Sequence, residues 1–185
     1  RAVLEPGSGE GRLRAAGAVI VGRTTMPEFG QFPFTESLAT GVTRNPFDLD
    51  RSPGGSSGGS AVAVATGMVP VALGADGGGS IRIPASACGL VGLTPTRGCI
   101  SVAPLSQHWY GLVVLGGMSR SVRDSALLLD VISGSTPVDR WSVPPPREPF
   151  AAVAAREPGT LRIAWSTKCV TPGVDTDPEI TAATE

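Results

Sequence analysis

The chain has one histidine, His108, one lysine, Lys168, and three cysteines, Cys88, Cys99 and Cys169, in 185 residues. With no C-x-x-C pair and no histidine cluster beside the cysteines, neither a zinc site nor a disulfide framework is expected, and no metal or cofactor is implied. No apolar run approaches the roughly 18 to 20 residues needed to span a bilayer, and Arg1 to Gly11 lacks the apolar core of a secretory signal. Charge of either sign is also in short supply: 15 basic and 16 acidic residues are spread without blocks, for a net charge of -1. The basic footprint of a nucleic-acid binder is therefore missing. These absences lead to the expectation of a cytoplasmic protein that acts on a small or uncharged partner, with neither nucleic acid nor membrane involved. What the sequence does have is 41% hydrophobic residues against 17% charged, which suits a buried core rather than a disordered chain. Its length fits one domain.

The charged, alanine-rich segment Glu10 to Ala16 runs into Ala18-Val19-Ile20-Val21 and Gly22, which predicts a helix end feeding a buried strand. Between Met26 and Asp50 the prolines Pro27, Pro33 and Pro46 break any period, so an ordered loop is expected, and loops of that length are often functional. The small-residue run AVAVATGM after Ser60 predicts a helix that Gly67 terminates. Val69 to Leu73 predicts a second buried strand, ending at Gly74-Ala75-Asp76. In IRIPASACGLVGL, Pro84 suits the first turn of a short helix. Strand, turn and helix recur in that order, which points to an α/β domain. Further on, Ser121 and Asp124 stand at capping-box spacing before SALLLDVIS, with Gly134 as the stop. After the proline-rich Val143 to Pro149, Leu161 to Trp165 predicts another strand.

Two glycine-serine clusters punctuate this pattern, SPGGSSGGS over Ser52 to Ser60 and Gly77-Gly78-Gly79-Ser80. Composition alone would make the first a flexible linker. A linker separates self-contained blocks, whereas this cluster is followed at once by an apolar helix and a buried strand, too tightly for a tether. The glycines must serve geometry instead. Three glycines before a serine, at the end of a buried strand, aim several backbone N–H groups at one point without a Cβ in the way. That is what an oxyanion hole requires. Ser80 is then the candidate nucleophile, and the amides of Gly77, Gly78, Gly79 and Ser80 are the candidate donors. A serine needs an adjacent base. A Ser-His-Asp triad would have to use His108, in the aromatic stretch QHWYG, and a serine-lysine arrangement is the alternative.

The segments GRTTMPEFG (Gly22 to Gly30), NPFDLDRSPGGSSGGSAVAVATGMVPVALGADGGGSIRIPASACGLVGLTPTRG (Asn45 to Gly98) and GGMSRSVRDSALLLDVISG (Gly116 to Gly134) resemble the amidase signature family in order and spacing. The resemblance implies an α/β amidase-signature fold, with a mixed central sheet covered by helices on both faces. Residue 1 is Arg and the chain stops just after a helix-like start, so residues 1–185 are read as a fragment of a single amidase domain with its signature core at 22–134. The implied reaction is hydrolysis of a carboxylic amide through an acyl-enzyme on Ser80. Ser56, after a cis peptide bond, would relay the proton, and Gly30 would line the substrate pocket. The family's general base is a lysine further upstream than the 55 residues that precede Ser56, so the chain by itself is expected to be inactive. Lys168 lies on the wrong side of the motif and reads as a solvated surface residue.

Other positions have simpler readings. Asp76 and Arg82 are expected to form a salt bridge that holds the glycine turn in shape. Cys88 reads as a buried small hydrophobe. The expected partner is a small-molecule amide, and a homodimer is one conceivable assembly. DGGGSIRIPAS is similar to broad-range amidases and to hydrolases of cyclic or linear oligoamides. The A subunit of the tRNA-dependent glutamine amidotransferase, which releases ammonia from glutamine for a partner enzyme, more often has Thr-Gly-Gly before the serine and Gln where Ile83 stands, which ranks it second. A non-catalytic member that keeps the fold without the base is the third reading.

Overall fold

The structure is a computed structural model that describes residues 6–105 and 107–184. In chain order its elements are α1 (Gly9–Ala15), β1 (Glu36–Ser37), β2 (Gly41–Val42), α2 (Gly58–Ala65), β3 (Val71–Asp76), α3 (Arg82–Ala87), β4 (Val91–Leu93), β5 (Val114–Ser119), α4 (Val122–Ile132), α5 (Phe150–Ala154) and α6 (Pro178–Thr184). Short 3-10 turns occur at Glu28–Gly30 and Trp109–Gly111.

A three-stranded antiparallel sheet, ordered β3-β5-β4, is the frame of the molecule. Its register pairs Val71 with Ser119 and Asp76 with Val114 on one side of β5, and Leu93 with Gly117 on the other. The central strand β5 has little local signal, because Gly116 and Gly117 interrupt the apolar alternation that announces a strand. Both glycines answer to close packing. A Cβ on Gly117 would lie 2.3 Å from Leu128 Cδ2, and one on Gly116 would lie 2.6 Å from the Leu93 carbonyl oxygen. β3 begins two residues later than its apolar run predicts, at Val71, because Pro70 has no N–H for the ladder.

Successive residues of a strand face opposite sides, and β5 serves a core on each. Met118 packs with Ala61 of α2, Ile81, Ala85 of α3 and Cys88. Leu115 faces the other way, where Leu128, Leu129 and Ile132 of α4 join Ile100, Leu73 and Leu13 of α1. The expected α/β architecture with helices over both faces is therefore present. Every ladder among the described residues is antiparallel, and the parallel pairing seen is an isolated bridge between Ile100 and Gly134. α4 starts as its sequence predicts: the Ser121 hydroxyl oxygen accepts from the Asp124 amide at 3.1 Å, and its O–H donates to the Asp124 carboxylate at 2.8 Å.

Two expectations fail. Residues 18–21 and 161–165 form no strand, and Val19, Val21, Leu161, Ile163 and Trp165 are exposed. Their apolar pattern says what a strand would bury, but a strand exists only when another pairs with it, and neither segment meets one among the described residues. Among those residues no helix is long and apolar enough to cross a membrane.

Candidate active site

Although 24 positions separate Ser56 from Ser80 in sequence, the two glycine-serine clusters are in contact. The Ser57 amide donates to the Ser80 carbonyl at 3.1 Å. The Ala75 amide approaches the Ser57 hydroxyl at 3.4 Å, and the Ser60 hydroxyl donates to the Leu73 carbonyl at 2.9 Å. The end of β3 is thus fastened to the start of α2 by serines of the first cluster. A tether could not be held this way, so the linker reading is excluded.

Close approach explains the glycines of the first cluster. A Cβ on Gly55 would sit 2.6 to 2.7 Å from backbone atoms of Phe32 and Phe34, and one on Gly59 would sit 2.5 Å from backbone atoms of Thr25. Buried Thr35 adds a hydrogen bond to the Gly54 carbonyl at 2.8 Å. The Gly55–Ser56 peptide bond is cis, at the position the resemblance implies, and Ser56 is buried. Gly30 lies against this serine: its missing Cβ would stand 3.5 Å from Ser56 Oγ.

The second cluster is built around a carboxylate. Asp76, the last residue of β3, is buried, and its Oδ1 accepts from the Gly79 amide at 2.8 Å and from Arg82 Nη2 at 2.9 Å. Its Oδ2 accepts from the amides of Ile81 at 3.1 Å and Arg82 at 3.3 Å, from Arg82 Nε at 3.0 Å and from the Thr94 hydroxyl at 2.8 Å. Burial alone pushes this carboxyl up; the Arg82 pair, the Thr94 hydroxyl and the amides of Ile81 and Gly79 outweigh it and hold the group well below the usual carboxylate range. The expected Asp76–Arg82 salt bridge is present, and the carboxylate does more than pair with a cation. It dictates the path of residues 77–82.

One expectation about donors changes as a result. The Gly79 amide, one of the four candidates, is directed at Asp76 and cannot serve an oxyanion. Gly79, at φ +121°, adopts a backbone that an L side chain rarely takes, which lets the turn fold back on Asp76. The amides of Gly77, Gly78 and Ser80 have no hydrogen-bond partner among the described residues. Three donors remain where the sequence offers four.

Sequence reasoning missed Ser57 and Thr94, and no local signal could have found them. Ser57 stands beside Ser56 in a run of like residues, and Thr94 reaches Asp76 from the residue after β4. His108 is exposed and opens the Trp109–Gly111 turn, its ring edge-on to Trp109 at 6.4 Å. Lys168 is exposed, as a surface lysine should be. Cys88 is buried, its thiol pushed up by that burial and pointed at the Pro53 carbonyl at 3.8 Å, which is the environment of an inert hydrophobe.

Comparison with known proteins gives one consistent picture. AmiB2 of Mycobacterium tuberculosis is 60% identical over 161 residues, 87% of this chain and 33% of that protein. The structure of 6-aminohexanoate cyclic dimer hydrolase in complex with its substrate superposes with a TM-score of 0.80 at 50% identity, over 83% of this chain and 33% of that one. The corresponding component of the glutamyl-tRNA(Gln) amidotransferase of Thermotoga maritima superposes with a TM-score of 0.63 at 45% identity, over 71% of this chain and 29% of the other. The chain thus spans about a third of the length of the curated relatives it matches. The sequence profile of the family described as Amidase matches residues 11–185, nearly the whole chain. With that span, the chain belongs to the amidase family.

Proposed function

We propose that the protein hydrolyses a carboxylic amide of a small molecule, with Ser80 as nucleophile and Ser56 as the group that relays its proton. The observation that carries this reading is the turn itself. A buried, Arg82-neutralised carboxylate fixes residues 77–82 and leaves the amides of Gly77, Gly78 and Ser80 without partners beside a serine hydroxyl. Donors fixed before the reaction stabilise an oxyanion without reorganising as charge develops.

In this reading Ser80 Oγ adds to the amide carbon as its proton passes to Ser56 and on to a base. The carbonyl oxygen takes the negative charge and is met by the free amides. The C–N bond then breaks, a proton returns through Ser56 to the departing amine, and water repeats the sequence on the ester to release the acid. The Ser57–Ser80 hydrogen bond keeps the relay and the nucleophile in register. In this reading the base is the upstream lysine that the resemblance implies, and exposed Lys168 takes no part. Gly30, against Ser56, gives the amine side of the substrate a wall of backbone only.

The 6-aminohexanoate hydrolase, a better structural match than the amidotransferase component, supports turnover of free amides over partner-dependent release of ammonia from glutamine. The test is reaction of the full-length protein with a fluorophosphonate. Ser80 should be the labelled residue, Ser80→Ala should abolish labelling, and Ser56→Ala should slow it by about 10²- to 10⁴-fold. Labelling at Cys88, or a glutaminase active only with a second protein bound, would favour another reading.

A further inference from the structure

Among the described residues, three that are not glycine have φ in the left-handed region: Phe29 (54°), Trp109 (46°) and Tyr110 (53°). All three are aromatic, a class that this backbone disfavours. Their places are not scattered. Phe29 precedes Gly30, which lies against Ser56, and Trp109 lies against Gly77 at the other end of the oxyanion turn: its Cε3 and Cζ3 are 3.3 and 3.6 Å from where a Gly77 Cβ would be.

The segment bearing Trp109 is held from beneath. The Gly111 and Leu112 amides donate to the carbonyls of His108 at 3.0 Å and Trp109 at 2.9 Å. The Trp141 ring fills the space beside Gly111, 2.3 Å from where a Cβ would stand, and the guanidinium groups of Arg97 and Arg140 each lie 5.4 Å from the centre of that ring. A cation-flanked, packed indole therefore supports the turn, yet what the turn presents is poorly covered. Trp109 is 42% exposed and Tyr110 is 91% exposed. Conformations of this kind persist where surrounding structure enforces them, and they concentrate at ligand clamps.

We propose that Trp109, with Tyr110 beyond it, forms the apolar wall that receives the acyl group of the substrate and selects amides with a flat or extended apolar acyl chain. The assignment rests on the proposed reaction and on the two ends of the turn. Its Ser80 end is tied to Ser57, next to the serine that protonates the departing amine, so the amine belongs there. A carbonyl held over the amides of Gly77, Gly78 and Ser80 then directs its other substituent toward the Gly77 end, where the indole lies. Indole and phenol faces favour apolar and π-bearing groups.

The experiment compares the rates at which the full-length protein is labelled at Ser80 by an octyl and by a methyl fluorophosphonate, whose alkyl groups stand in for long and short acyl chains. Trp109→Gly, which suits the observed backbone, should lower the octyl-to-methyl rate ratio at least tenfold, and Trp109→Phe should keep most of the ratio. Tyr110→Gly, at a side chain that no neighbour covers, should lower the ratio severalfold and carries the test if Trp109→Gly does not fold. An unchanged ratio in these variants would overturn the wall while leaving the nucleophile in place. Failure of the unsubstituted protein to be labelled at Ser80 would overturn the reaction and this inference together.

Discussion

Replacing Asp76 by Asn removes one charge, changes almost no volume and separates the two roles of this residue. In the native turn six hydrogen bonds converge on the carboxylate, two on Oδ1 and four on Oδ2. An amide offers one acceptor oxygen and one NH₂, so whichever way the substituted side chain turns, one of these sets meets a donor. The better orientation keeps the four-bond side and opposes its NH₂ to the Gly79 amide and Arg82 Nη2. The arginine side chain is 58% exposed and can turn to water. The buried Gly79 amide cannot, and an unsatisfied buried donor costs about 1–3 kcal/mol. The four remaining bonds fall from charge-assisted to neutral strength, roughly half. Together these place the loss of stability at about 3 kcal/mol, measured as the shift of a urea midpoint.

The functional loss should accompany it. If releasing Gly79 costs the turn one well-aimed oxyanion donor, Ser80 labelling falls by about 10²- to 10³-fold. The pH dependence has a definite sign. The folded-state carboxyl is held below its unfolded value, so its contribution is complete above the unfolded pKa and is lost as pH falls through the folded value. The stability difference between the native protein and Asp76→Asn should therefore be flat from about pH 5 to 8 and shrink below about pH 4. Arg82→Gln leaves three backbone amides and the Thr94 hydroxyl on the carboxylate and should cost less. An Asp76→Asn protein with unchanged urea midpoint and labelling rate would show that the turn holds its shape without the carboxylate.

Two further substitutions test the packing and one tests the chemistry. Gly59→Ala sets a Cβ 2.5 Å from the Thr25 backbone, which cannot move as a side-chain tip would, and should destabilise by about 3 kcal/mol in denaturant titration. Gly78→Ala meets nothing within 4 Å at an ordinary φ and should leave the same titration within about 0.5 kcal/mol of native. His108→Ala should leave Ser80 labelling within about threefold, and a total loss of labelling in a folded protein would restore the histidine triad.

How much of this was legible in the sequence differs from element to element. The start of α4 was, because Ser121 and Asp124 act on each other across the first turn, whereas Gly134, past the Ser133 cap, pairs with Cys99 and Ser101 far away in the chain. The segments 18–21 and 161–165 have as much strand character as β3, but character is local and pairing is not, so β3 became a strand and they did not. β5 shows the reverse. Its glycines erase the local signal because Leu128 and the Leu93 carbonyl already occupy the space a side chain would take. Within the site, Ser80 and Ser56 follow from chemistry and resemblance. Thr94 and Ser57 answer to the geometry of a carboxylate and a carbonyl that only the folded chain brings near.

The two glycine clusters look alike in composition and do opposite things. In the first, the missing side chains admit other backbones: Phe32 to Phe34 against Gly55, and Thr25 against Gly59. In the second, Gly78 meets nothing and the backbone faces open space, while Gly79 is bent back to Asp76. Glycine thus closes the structure around Ser56, which is buried, while Gly78 leaves it open beside Ser80, which is half-buried. A relay must be shielded from water if its proton is to travel between side chains, and a nucleophile must be reached by substrate, so the burial of the two serines is ordered as their proposed roles demand.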